Sequence, residues 1–549
     1  MILQPEHLKI AYFSAEIGFT PNVPTYSGGL GILAGDHIKA AADNGLSLCG
    51  ISLLYKEGYL KQKLDAEGNQ TEDYPRFHPQ LILRPVNINI AIPLRNRAIK
   101  LKVWVFNHIG ITNHTVPIYF LDSDHPENLE DDKNITFRLY GGGMEHRLLQ
   151  EAVLGFGGCA ALEALGYNDI STYHMNEGHA AFVTLALRKK FNNDVEKVRR
   201  HCVFTTHTPV SAGHDKFPTE LARTTLGDLI PDDLDKSIIN GELNMSLLAL
   251  NYSRKANGVS KLHRVVSQKM FPAFHIGSIT NGVHHTTWAA LATRETYDKF
   301  LPGWRENSDL LRDVCNIPDD DLWQMHYDNK RRLIDYANAH MQVGYEQSRL
   351  MLGFARRAAG YKRAMLLFRD SDRLAKISQG RLEIVFAGKA HPRDHVGKAI
   401  IQNVIQEANK LFGSVLITYL ENYNMWLGRL ITSGVDVWLN TPLRFNEASG
   451  TSGMKSALNG VPNFSILDGW WAEGCCDEIN GWAIGGSEDS PSDEEDAENL
   501  YSTLEHKIIP TYYDNRKKWI SMMRESIITA ADFTAQRMVK DYQENVYNS

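Results

Sequence analysis

Residues 435–460 place an apolar run, a glycine-rich turn and the start of a helix in immediate succession. Val435 to Leu439 reads as a buried strand. Gly450 and Gly453, with Ser449, Thr451 and Ser452, form the turn, and Lys455 follows in a short helical sequence. A chain that passes from strand through turn to helix commits to α/β layering, because each element must bury its apolar face on the other. Such a turn also aims backbone N–H groups at an anion and adds the positive end of a helix dipole. Glu447 stands eight residues before Lys455.

The same alternation recurs along the chain. Lys9 to Glu16 is a short strand candidate, and the turn Ser27-Gly28-Gly29-Leu30-Gly31 leads into a helical pattern from Ile32 to Asn44. Further strand candidates are Val203 to Thr206, Leu382 to Ala387 and Ser414 to Leu420, with a helical pattern from Val396 to Leu411. Strands alternating with helices predict parallel sheets covered on both faces, with ligands at the carboxyl ends of strands. Asn281-Gly282 favours a turn. Residues 1–281 and 282–549 are therefore read as two α/β domains, and no repeat of 20–50 residues is evident.

Composition narrows the function. A net charge of −7 argues against a protein that binds nucleic acid by neutralising phosphates. The first seven residues lack the basic and apolar regions of a signal peptide, and no apolar stretch is long enough to span a bilayer. Six cysteines without framework spacing read as reduced thiols, which predicts a cytoplasmic location. The acidic run Ser487 to Glu498 reads as a solvated loop in which Ser492 caps a helix and Glu495 completes a capping box. His174 and His179, like the adjacent His284 and His285, lack the spacing of a metal site, and no metal is predicted.

Cations and small polar groups gather near the other turns. Arg356, Arg357, Lys362 and Arg363 surround Gly360, a concentration suited to a dianion. Gly28 to Gly31 is a second anion-compatible turn at a helix start. Asn281-Gly282 and Thr206-His207-Thr208 supply groups of the kind that read sugar hydroxyls. Together they describe a cleft for phosphate and sugar between two α/β domains.

Taken in order, these segments resemble the α-glucan (glycogen, starch and maltodextrin) phosphorylases, closest to their short prokaryotic members. The resemblance runs over nearly the whole chain. It includes Glu145 to Glu151, Asn176 to His179, Asn257 to His263, Thr280 to Gly282, Arg357 to Lys362, Gly388-Lys389, Glu421 to Tyr423, and Glu447 through Lys455. It implies a GT-B architecture of two Rossmann-like domains facing across a deep cleft, the N-terminal one on the glucan side. The last helix is expected to pack back on that domain. It also implies pyridoxal 5′-phosphate carried covalently on Lys455, with Gly29, Arg356, Thr451, Ser452 and Tyr423 around the cofactor. Family members commonly have lysine where this chain has Arg356; arginine keeps the charge and changes the fork. Arg357 and Lys362 are expected to bind the substrate phosphate. Glu447 to Gly450, Ala448 and Ser449 included, with Tyr361, Asn281, His207 and Gly28, are expected to hold the sugar. The reaction implied is reversible phosphorolysis of α-1,4-glucan by inorganic phosphate to α-D-glucose 1-phosphate with retention. Homodimers are common in the family. The chain is much shorter than the animal enzymes, and control by phosphorylation or nucleotides at an N-terminal extension is not expected.

Two rivals are weighed. A nucleotide-sugar (ADP-glucose) glucan synthase shares the architecture, but synthases resemble Lys-x-Gly-Gly-Leu at the first turn and Glu-x7-Glu at the donor site. Here those positions read Tyr26-Ser27-Gly28-Gly29-Leu30 and Glu447-x7-Lys455, which exchanges a ribose-reading acid for an amine. An inactive glucan-binding homologue is disfavoured because Lys455, Glu447, Arg357, Lys362 and His207 are all in place.

Overall fold

The computed structural model describes residues 8–485 and 492–548. The opening heptapeptide and Ser487 to Pro491 of the acidic run lie outside the described residues. Contacts along the chain divide it into two units that are not two consecutive stretches. The first draws on residues up to Tyr59, Tyr74–Thr280 and the chain from Met538; the second on Leu60–Asp73 and Asn281–Arg537.

In the first unit the strand Ile10–Phe13 is buried at every residue, as an apolar run between two parallel neighbours must be. Beside it run Leu48–Leu53 and then Thr115–Asp122 on one side. Thr172–Asn176, Cys202–Thr205, Lys255–Gly258 and Ile276–Ser278 follow on the other, all parallel. Arg97–Ile109 and Arg84–Leu94 extend the sheet as an antiparallel edge. Along Arg84–Leu94, Val86, Ile90, Ile92 and Leu94 turn inward while their neighbours stay largely exposed, the period of a half-buried strand. Helix Gly29–Asp43 passes the loop after the first strand so closely that a Cβ on Gly35 would stand 2.1 Å from the Gly18 carbonyl oxygen. At the chain's end, Tyr547 bonds His174 and His37, and the Tyr542 hydroxyl bonds Thr205 and Asn257. His174 is thereby held between two hydroxyls, Tyr547 and Thr205, and His179 accepts the Ala15 N–H at 2.9 Å.

The second unit is built on six parallel strands in the spatial order Leu416–Leu420, Leu382–Ala387, Leu350–Ala355, Val437–Asn440, Asn463–Ile466, Gly481–Ile484. This is the doubly wound order, in which successive strands are added first to one side of the first strand and then to the other. The hairpin Lys61–Leu64 and Gln70–Asp73 stands with this unit. There the Gln62 amide donates to the Gly388 carbonyl at 2.9 Å, and Gln70 accepts from Ala390 at 3.0 Å. Leu382–Ala387 begins and ends where the sequence places it, and the helix His395–Lys410 starts and stops one residue early. The expected cap is present: the Glu495 N–H donates to the Ser492 hydroxyl at 3.3 Å, at the start of helix Asp493–Thr503. No described helix is long and apolar enough to cross a membrane.

Candidate active site

Strand order in the second unit switches sides beside strand Leu350–Ala355, and two loops leave the carboxyl ends of adjacent strands there. Residues 356–362 continue from Ala355, and residues 441–450 from Asn440. The loops are tied together: the Leu443 N–H donates to the Tyr361 carbonyl at 2.6 Å, and the Thr441 hydroxyl to the Lys362 carbonyl at 3.2 Å.

The tie brings Arg356 and Lys362 onto one oxygen of Glu447. The Lys362 amine lies 2.5 Å from Oε2, and Arg356 Nη2 donates to the same atom. All three residues are buried. Burial alone would raise the Glu447 carboxyl, but Arg356 and then Lys362 more than offset it and hold its pKa at about 2. Arg356 Nη1, on the other arm of the fork, is buried with no hydrogen-bond partner, as are Ser449 Oγ and Asn281 Oδ1. Buried polar atoms without partners are uncommon, and these three belong to residues the sequence assigns to ligands. Arg357 is exposed and joins Arg356 and Lys362 along one recess, with Phe354 and Tyr419. Tyr361 is exposed, its ring 4.4 Å from the Lys362 amine.

Lys455 sits in helix Thr451–Leu458, whose N-cap Gly450 takes φ +82° and offers no side-chain cap. The first turn, with Thr451 and Ser452 half-buried, therefore keeps its N–H groups for other acceptors. A Cβ on Gly453 would stand 2.3 Å from Asn463 Oδ1, so the helix can pass only with glycine there. The Lys455 amine lies 3.5 Å from the centroid of the Trp288 ring. Asn459 clamps this geometry: its amide nitrogen donates to the Lys455 and Trp288 carbonyls at 2.8 and 3.0 Å. Its oxygen accepts from the Ala290 N–H and the Thr293 hydroxyl. Tyr423 packs its hydroxyl end toward Gly428 on helix Met425–Gly434.

In the first unit, Gly28 precedes helix Gly29–Asp43, whose N-terminus likewise has no side-chain cap. The Glu16 carboxylate organises this turn, accepting the Ser27 N–H at 2.5 Å, the Gly28 N–H at 3.4 Å and the Tyr140 hydroxyl. Glu177, in the left-handed region at φ +80°, accepts the His207 N–H at 2.7 Å and the Thr208 hydroxyl at 2.9 Å. His207 Nε2 donates to Asn176 Oδ1 at 2.6 Å, and burial lowers its pKa to about 3, so the ring is neutral at working pH. The sequence flagged the segments of Glu16, Glu177 and Asn459 without giving these residues a role, and did not single out Trp288. Their signal is positional support of a neighbour, which only folded geometry reveals.

A family model described as carbohydrate phosphorylase matches residues 216–473, and one described as a starch synthase catalytic domain matches residues 9–268. The chain is 39% identical to a maltodextrin phosphorylase of Thermococcus litoralis, across 98% of this chain and 70% of that protein. It is 38% identical to a glycogen phosphorylase of Mycobacterium tuberculosis over the same shares, and 36% identical to one of Aquifex aeolicus across 98% and 86%.

Proposed function

This chain belongs to the carbohydrate phosphorylase family, and we propose that the paired loops of its second unit bind phosphate and sugar for the phosphorolysis of α-1,4-glucan. It is an α-glucan phosphorylase, an enzyme of glycosyl transfer. The convergence of two buried cations on Glu447 carries the site assignment: the cluster holds more positive than negative charge and keeps one guanidinium arm unsatisfied.

The residues present fit pyridoxal 5′-phosphate. An uncapped helix start at Thr451 and Ser452 and the orphaned arm of Arg356 suit a phosphate, and Lys455 supplies a buried amine. Gly29 and Tyr423 complete this assignment. When bound, the cofactor supplies a phosphate ester whose second pKa of about 6 suits proton exchange near neutral pH. Arg357 and Lys362 would hold the attacking phosphate and offset its charge. Glu447, ionised at every working pH, would accept the 2- and 3-hydroxyls. The N–H groups of Ser449 and Gly450, after Ala448, would serve the 3- and 4-hydroxyls, and Tyr361 the 2-hydroxyl. Asn281 and neutral His207, with Gly28 nearby, would take the 6-hydroxyl end. The bond from C1 to the glucan oxygen breaks, the phosphate oxygen bonds C1 on the same face, and the proton carried by phosphate leaves with the glucan. The facing-domain arrangement, with residues 1–281 on the glucan side and 282–549 on the cofactor side, is part of this proposal and rests on family membership. So do a cytoplasmic location and homodimeric assembly.

Borohydride reduction followed by peptide mapping tests the cofactor: a pyridoxyl adduct is expected on Lys455. Its absence, or a Lys455→Ala variant that still releases glucose 1-phosphate from maltodextrin and phosphate, would refute the assignment. Glucan synthesis from ADP-glucose without phosphorolysis would instead support a synthase, which the match over residues 9–268 makes worth assaying.

A further inference from the structure

We propose that Asp468 is the positioning residue of the loop Glu447–Gly450, holding the backbone that aims Glu447 at its ligand. The inference rests on the sugar-binding role given to Glu447 above. Asp468 lies just beyond strand Asn463–Ile466 and is 2% exposed. Its Oδ2 accepts the Glu447 N–H at 3.0 Å, and its Oδ1 the Gly469 N–H at 2.8 Å. One bond further on, the Trp470 N–H donates to the Ser449 carbonyl at 2.9 Å. Gly469 between them takes φ +54°, and a Cβ there would stand 2.3 Å from that carbonyl oxygen. The turn 468–470 and the loop 447–449 are thus stitched at two points with no clearance between them.

Both carboxylate oxygens are needed for this. Asparagine offers one acceptor and would turn an N–H₂ toward a backbone N–H, breaking one of the two clamps. Among the described residues no ion pair joins Asp468 to a cation, and the charges that act on it are those of Glu447 and Lys362; Arg356 pairs with Glu447. Burial pushes its pKa up to about 7, against the backbone N–H groups that favour the anion. Protonation makes one oxygen a donor, so the clamp loosens as pH falls through that value and tightens above it.

The test uses the holoenzyme making glucan from glucose 1-phosphate and maltodextrin. Asp468→Asn is expected to raise the KM for glucose 1-phosphate about tenfold with kcat changed less than about threefold, the loss of roughly one charged hydrogen bond in binding. The wild-type KM is expected to rise as pH falls from about 8 to 6, and the variant should flatten that rise. Glu383→Gln is the control: Glu383 is another buried acid raised to about 7, bonded to the Glu346 N–H, and its removal should leave the pH profile intact. A wild-type KM and pH profile in Asp468→Asn overturns the inference. With Glu447→Gln run beside it, a raised KM in that variant alone condemns Asp468 only, and a raised KM in neither condemns the sugar-binding role as well. If Asp468→Asn does not fold, Asp468→Glu serves: it keeps the charge and misplaces it, so KM should rise with its pH dependence retained, and an unchanged KM overturns the proposal.

Discussion

Glu447 meets two cations at one oxygen, and that arrangement decides what substitution there should do. Replacing it with glutamine leaves Arg356 and Lys362 buried without their counter-charge, a change that typically costs about 3–5 kcal/mol. We expect Glu447→Gln to lower the urea midpoint of the second unit as well as to weaken sugar binding; an unchanged midpoint would mean that solvent already screens the pair. The sign for pH is definite. A carboxyl held at about 2 contributes stability that is present above its ordinary range and is lost only as pH falls toward 2, so Glu447 itself imposes no pH dependence near neutrality. Arg356 differs from lysine in its second arm. Arg356→Lys should keep the charge beside Glu447 and lose the Nη1 donor, weakening cofactor retention about tenfold or more, measured by dialysis and pyridoxal fluorescence. These residues were legible because cations beside glycine and an acid ahead of a lysine are chemistry that sequence displays. Their meeting at Oε2 was not, because it depends on loops from two strands that become neighbours only in the sheet.

At the scale of the element, helix Thr451–Leu458 is held by its C-terminal neighbour Asn459 more than by its own cap. Asn459 is fully buried and satisfies two carbonyls, one N–H and one hydroxyl with a single amide. Asn459→Ala would leave those groups buried and unpaired, each at about 1–3 kcal/mol, so a loss of at least about 3 kcal/mol is expected. Asn459→Asp, which keeps the acceptor but sets a buried carboxylate oxygen against two carbonyls, should cost at least as much. Chemical denaturation of cofactor-free protein checks the order; equal stabilities would show that water replaces the amide. Strand and helix spans in this region were readable because an apolar run flanked by turns has few other fates, and Leu382–Ala387 is one. Lys9 to Glu16 proved shorter, ending at Phe13: the Ser14 N–H still bonds the Ile51 carbonyl, but its hydroxyl turns to the Glu16 carbonyl and Glu16 to the glycine turn. The antiparallel edge Arg84–Leu94 was the least legible strand, although its alternation is present in the sequence, because a half-buried strand lacks the continuous apolar run that marks the buried parallel ones.

Acidification should separate the two units. In the first, burial holds His37, His179 and His207 at about 3, His263 at about 4, and His174 well below its ordinary value. Above about 6.5 these rings are neutral whether folded or not. Below it the unfolded chain takes protons that the folded unit refuses, so stability is lost from that value downward as pH approaches the folded ones. Each histidine removes about 1.4 kcal/mol per pH unit in that window. Glu151 and Asp122, raised by burial, gain protons more readily when folded and offset part of this, whereas His146, also lowered by burial, adds to it. The second unit carries the opposite linkage. Asp468 and Glu383, raised to about 7, contribute stability that grows as pH falls from 7 toward the ordinary carboxyl range, and Glu447 begins to lose its own contribution only below that range, the loss being complete near 2. Native stability is typically about 5–15 kcal/mol, so the first unit should unfold as pH falls from about 6.5 toward 4, ahead of the second. The chain supplies its own reporter, since Trp104 is the one tryptophan of the first unit. Far-UV circular dichroism should therefore fall before tryptophan emission shifts, and coincident transitions, or ellipticity unchanged down to about pH 4, would show that the buried histidines do not govern acid stability.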